Sequence, residues 1–151
     1  MLTKEQLAHF DTFGFLFLRQ AFSAEEMMEM TSAAEELWEA NPPPHKDGEQ
    51  RMSSFVERHP SLSRLVVDER IYPAVEQLMG PDFVWVGSEG NISGRDNIVW
   101  HPDRKYYNPE EERFIDFAQM KVMIYLQPVK RDSGCLRVIP GSHRMPYHKL
   151  L

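Results

Sequence analysis

The dipeptide Gly80-Pro81 divides the chain into two stretches of different periodicity. Before it, apolar residues recur at helical spacing. After it, they come in short runs rich in Val, Ile, Phe and Trp, punctuated by glycines. A glycine that ends a helix, followed by a proline that cannot continue one, is a hard stop. Helices first and short strands afterwards predict an α+β fold with a β-sandwich or barrel core. Within one domain, residues 1–81 form a mainly helical N-terminal part and residues 82–151 a strand-forming part.

The helical part carries its own start signals. Thr3 with Gln6, and Ser23 with Glu26, are capping boxes, each flanked by a hydrophobic staple (Leu2 with Leu7, Phe22 with Met27). Gly14 suits the position just past the first helix. Met27, Met30, Ala34, Leu37 and Trp38 form one stripe of the second helix, where methionine is core filler. Asn41-Pro42-Pro43-Pro44 stops that helix and opens a polar loop to about Gln50. Ser61 to Met79 again has helical spacing, which Pro73 should break or kink.

Strands are predicted at Phe15–Leu18, Phe83–Val86, Ile98–His101, Ala118–Leu126 and Cys135–Ile139. Gly87, Gly90, Asn91 and Gly94 read as turn markers, and residues 104–116 as a polar loop.

Composition excludes several function classes. A chain of 151 residues, 42% hydrophobic, can bury a core and should fold. The net charge of −6 argues against nucleic-acid binding, and Glu25, Glu26, Glu29, Glu35, Glu36 and Glu39 read as a solvated helix face. No run approaches the roughly 20 apolar residues of a membrane helix. The start is not a signal peptide. The single Cys135 cannot form an internal disulfide, so a reducing cytoplasm is the natural reading.

The chemistry centres on Trp100-His101-Pro102-Asp103. Pro102 disfavours the helical region for His101, and on an extended segment residues two apart face the same way. His101 and Asp103 would then offer an imidazole nitrogen and a carboxylate oxygen to one point. That is two thirds of the facial triad that holds non-haem iron(II). Ordinary surface turns share the spacing, so the motif needs its company to mean more.

That company is Phe10 to Phe17 with its Gly14-Phe15, Leu78-Met79-Gly80-Pro81, the His-X-Asp stretch, and Ser133-Gly134-Cys135-Leu136-Arg137-Val138-Ile139-Pro140-Gly141-Ser142-His143. In this order they resemble the phytanoyl-CoA dioxygenase family of iron(II)- and 2-oxoglutarate-dependent oxygenases, the last stretch being the most specific. The resemblance implies N-terminal helices packed on a double-stranded β-helix (jelly roll), here only partly present. It implies His101 and Asp103 as metal ligands, 2-oxoglutarate as co-substrate, and dioxygen and a small molecule as the other partners. Because relatives that halogenate lack this carboxylate, Asp103 implies hydroxylation.

Two further positions match the family's cofactor site. Arg51 falls near a basic residue used toward 2-oxoglutarate, with an ordinary surface arginine as the alternative. Met123 matches a cofactor-facing position, with a plain barrel-interior side chain as the alternative. His143 is expected to make a structural hydrogen bond at its turn rather than to bind iron. His9, His45, His59 and His148 have no supporting context. Arg104, Lys105 and Arg113 could meet an anionic substrate, though solvent exposure is their simpler role.

The family's second iron-binding histidine and its 2-oxoglutarate arginine lie on strands after Pro-Gly-Ser-His, and the chain stops at Leu151. About half of the jelly roll's eight strands would be present, leaving unpaired edges. The expectation is a fragment of a longer reading frame, whose parent is the oxygenase and which is inactive alone. A dimer donating the missing strands is a further possibility. The competing readings are a non-catalytic jelly-roll binding or scaffold module, and a cupin-type metal enzyme working without 2-oxoglutarate.

Overall fold

The computed structural model describes residues 1–42, 50–92, 100–101, 107–108, 113–114 and 118–144. The chain resolves into two compact units. One holds Leu18–Asn97 and Ile124–Leu136, and the other Leu2–Phe17, Ile98–Met123 and Arg137–Leu151.

In the second unit, helix α1 (Lys4–Phe13) starts as its sequence predicts. Thr3 N–H donates to Gln6 Oε1 at 2.8 Å and Gln6 N–H to Thr3 Oγ1 at 3.2 Å. Gly14 ends it at φ +79°, a left-handed conformation that L side chains adopt only at a cost.

The first unit is built on α2 (Ala24–Ala40). Its capping box closes in the same way, Ser23 N–H to Glu26 Oε2 at 2.7 Å and Glu26 N–H to Ser23 Oγ at 3.2 Å. Met30, Ala33 and Ala34 are buried with Met52, Phe55 and Leu62, and Met27, Leu37 and Trp38 pack against them. The Trp38 and Phe55 rings stack at 4.9 Å.

The predicted run from Ser61 to Met79 is divided into α3 (Pro60–Ser63), a 3-10 turn (Arg64–Val67) and α4 (Tyr72–Met79). The break precedes Pro73, which sits in the first turn of α4, where its missing N–H costs nothing. Gly80 closes α4 at φ +91°, its N–H donating to Glu76 O at 2.8 Å. Arg70, between these helices, donates to Glu26 Oε1 and Oε2 at 2.7 and 2.9 Å and to Asp68 Oδ2 at 2.7 Å. Its guanidinium also lies 4.4 Å from the Phe22 ring centroid.

The strands are where the structure departs from the sequence pattern. Strand β1 (Gln50–Ser53) pairs antiparallel with β2 (Glu89–Ile92), Arg51 opposite Asn91 and Met52 opposite Gly90. Gly90 is therefore a strand residue and not a turn marker. An added Cβ there would lie 2.3 Å from the Phe55 ring, so only glycine lets that ring cross the strand. Gln50, buried at the start of β1, donates its side-chain N–H to the Asn41 carbonyl and ties the strand to the end of α2. Within the expected 104–116 loop, β3 (Tyr107–Asn108) and β4 (Arg113–Phe114) form a two-residue antiparallel ladder, too short to leave a periodic signal.

Among the described residues, the predicted strands at 15–18, 83–86, 100–101, 118–126 and 135–139 have no ladder. The remainder of the Ile98–His101 run lies outside the described residues. Alternation specifies which face is apolar but not which strand will pair with it, and a strand exists through its partner. Val84 and Val86 are accordingly 79% and 85% exposed. Among the described residues the architecture is α+β: helices with two small antiparallel sheets.

Candidate functional site

Trp100 and His101 are both exposed, on a segment without regular structure in the second unit. The Arg137 guanidinium lies over the Trp100 ring, 5.3 Å from its centroid. Asp103 lies outside the described residues, as do Arg104, Lys105, His45 and His148. No group of three or more His, Cys, Asp and Glu side chains able to hold a metal occurs among the described residues. The donor chemistry of the motif nevertheless fits iron(II), which takes imidazole nitrogen and carboxylate oxygen together. His101, which is exposed, would supply the first.

The two cofactor-facing candidates are also described. Arg51 is an outward, exposed residue of β1, whose alternation buries Gln50 and Met52 instead. Met123 is 52% exposed. Met123 and His101 belong to the second unit, Arg51 to the first. Two residues on, Tyr125 closes a turn through its hydroxyl, which accepts the Leu136 N–H at 2.7 Å.

Three other histidines have structural roles. The His143 Nε2–H donates to the Asp11 carbonyl at 3.1 Å, beside Arg144, which reaches the same carbonyl at 2.5 Å and Asp11 Oδ2 at 3.0 Å. Gly141 N–H donates to Phe13 O at 2.9 Å. The Pro-Gly-Ser-His turn thus covers the C-terminal carbonyls of α1, where cations are favoured and the helix has none of its own. The structural hydrogen bond expected of His143 is present. His9 packs its ring against Phe13 and Phe15 at 4.8 and 5.2 Å. His59 Nδ1 accepts the Ser61 N–H at 3.2 Å, while Nε2 faces Glu36 Oε2 at 3.5 Å.

A carboxylate the sequence did not single out is held by the first unit. Glu57 Oε1 accepts the Trp85 indole N–H at 2.9 Å, and Oε2 accepts the Ser88 hydroxyl. Burial pushes its pKa up, but hydrogen bonds from Ser88, Trp85 and its own backbone, with the charge of Arg58, together leave it lowered. Ser88 Oγ in turn accepts the Val56 N–H at 2.9 Å. Nothing in the spacing of Glu57, Trp85 and Ser88 announces this arrangement.

Comparison with known proteins adds what the geometry alone does not show. Residues 10–150 match the model of the phytanoyl-CoA dioxygenase family. The chain is 25% identical to the ectoine dioxygenase of Bordetella bronchiseptica over 156 aligned positions, covering 95% of this chain and 50% of that protein. The ectoine dioxygenase of Sphingopyxis alaskensis is 27% identical with the same coverage. The chain thus spans about half the length of the curated relatives it matches. Among solved structures, HygX from Streptomyces hygroscopicus, with nickel and 2-oxoglutarate bound, superposes with a TM-score of 0.55 at 28% identity. That superposition covers 60% of this chain and 34% of HygX.

Proposed function

The chain belongs to the phytanoyl-CoA dioxygenase family, and we propose that the whole protein is an iron(II)- and 2-oxoglutarate-dependent dioxygenase that hydroxylates a small molecule. The observation that carries this reading is the family match across residues 10–150, with His101-Pro102-Asp103 intact inside it. The names of the relatives and the 2-oxoglutarate bound to HygX support the same reaction class. The fold that goes with the reading is helices against a jelly roll, with residues 1–81 as its helical part and residues 82–151 as its first strands.

In this reading His101 and Asp103 hold the metal, and bound iron(II) with 2-oxoglutarate supplies the oxidising chemistry. The protein's contribution would be to present an imidazole nitrogen and a carboxylate oxygen together. The resemblance that gives His101 and Asp103 also gives Arg51 and Met123 as candidate cofactor-binding residues. Asp103 fills the position that an anion would otherwise take, which favours hydroxylation. No described helix is long and apolar enough to cross a membrane.

The test is anaerobic titration of the whole protein with iron(II), with and without 2-oxoglutarate, watching the visible metal-to-ligand charge-transfer band. The band should appear with both additions and vanish in His101→Ala and Asp103→Ala. A band that persists in both variants would overturn the site.

A further inference from the structure

Arg137 belongs to the Gly-Cys-Leu-Arg stretch of the sequence, and nothing in its spacing distinguishes it from an ordinary exposed strand residue. The structure gives it a partner. Its guanidinium lies 5.3 Å from the centroid of the Trp100 ring, within the range of a cation–π contact. Trp100 is the residue immediately before His101. Both members belong to the same unit, in which residues 100–101 have no ladder to hold them. A stacked side chain is therefore a restraint that the backbone does not supply.

We propose that Arg137 is a positioning residue for the metal site, holding Trp100 so that the His101 imidazole keeps its orientation. This rests on the reading of His101 as a metal ligand. A guanidinium has no lone pair to offer, so Arg137 cannot ligate the metal itself. Its effect must pass through Trp100 or through its charge, and the two routes have opposite signs. A positive charge near a bound cation weakens it, so removing a mere bystander charge would strengthen metal binding. Removing a restraint on His101 would weaken it. Trp is the best ring for such a contact and arginine its usual cation, so neither residue is freely exchangeable here.

The experiment is equilibrium binding of nickel(II) alone, by competition with a chromogenic chelator, to the whole protein and its variants. Thermal unfolding of each variant serves as the folding control. Arg137→Met, which keeps the side chain's length without its charge, should weaken nickel binding about two- to fivefold, the strength of an exposed cation–π contact. Trp100→Leu should produce the same loss, and the double variant should bind no more weakly than either single one. Arg137→Lys should recover part of the loss, because a cation over the ring is restored.

Unchanged or tighter binding by Arg137→Met would overturn the proposal, as would losses that add in the double variant. Failure of the site reading looks different. If the unaltered protein binds no nickel, or His101→Ala binds it equally well, the metal site falls and the role of Arg137 falls with it. Loss in His101→Ala with none in Arg137→Met would remove only the positioning role.

Discussion

Helix α2 and the run Phe83–Val86 are both apolar segments of the same unit, and they end in opposite conditions. Leu62, packed with the α2 stripe, is 2% exposed, whereas Val86 is 85% exposed. The difference is one of range. A helix satisfies its backbone within itself, so a cap and a stripe suffice to form it and to name the face it buries. A strand satisfies its backbone through a neighbour, so the same quantity of apolar sequence commits it to nothing until the neighbour arrives. Local signals formed α2 and named the face it buries. The run Phe83–Val86, which needed a distant partner, has no ladder.

The contrast predicts a graded set of stability losses, each readable by denaturant unfolding. Leu62→Ala should cost the most, about 2–5 kcal/mol, because it opens a cavity in the tightest part of the core. Gly14→Ala comes next. The left-handed backbone alone should cost about 1–2 kcal/mol, and the new Cβ would lie 2.2 Å from the His143 ring, which must move. Ser23→Ala should cost about 1 kcal/mol, the usual value of an N-cap.

At the bottom of the order, Val86→Thr should fall within about 0.5 kcal/mol of wild type. A loss there comparable with that of Leu62→Ala would break the comparison, since it would mean that the run is buried after all.

Acid should reveal the same core from its edge. Hydrogen bonds from Arg70 hold the carboxyls of Glu26 and Asp68 below their ordinary values, with Ser23 also helping Glu26. A carboxylate whose pKa is lower folded than unfolded stabilises the fold fully above the unfolded value of about 4. That contribution disappears as pH falls through the lower folded values. The unfolding temperature should therefore drop below about pH 4, and Arg70→Met should flatten the drop by removing the cause of the shift.

How much was legible follows the same division. Both capping boxes, the α2 stripe and the glycine stops at positions 14 and 80 were readable because each is a contact within four residues. Strand β2 was not, because Gly90 is there for Phe55, which lies far from it in sequence and shows no trace beside it. At the candidate site, His101-Pro102-Asp103 was legible as donor chemistry. Arg137 was not, since only the folded chain brings its guanidinium over Trp100. Residue type announces what a side chain can do, and topology decides what it does it to.

The turn at residues 141–144 has a consequence for how the chain is made. His143 and Arg144 reach back 132 and 133 positions to Asp11, and Gly141 to Phe13. During synthesis α1 leaves the ribosome before that turn does, capped at its start by Thr3 and closed at its end only by Gly14. The groups that cover its last carbonyls are translated more than a hundred residues later. Until those residues emerge, α1 is a nascent helix whose last carbonyls await their partners, and the Pro-Gly-Ser-His turn is what fastens it.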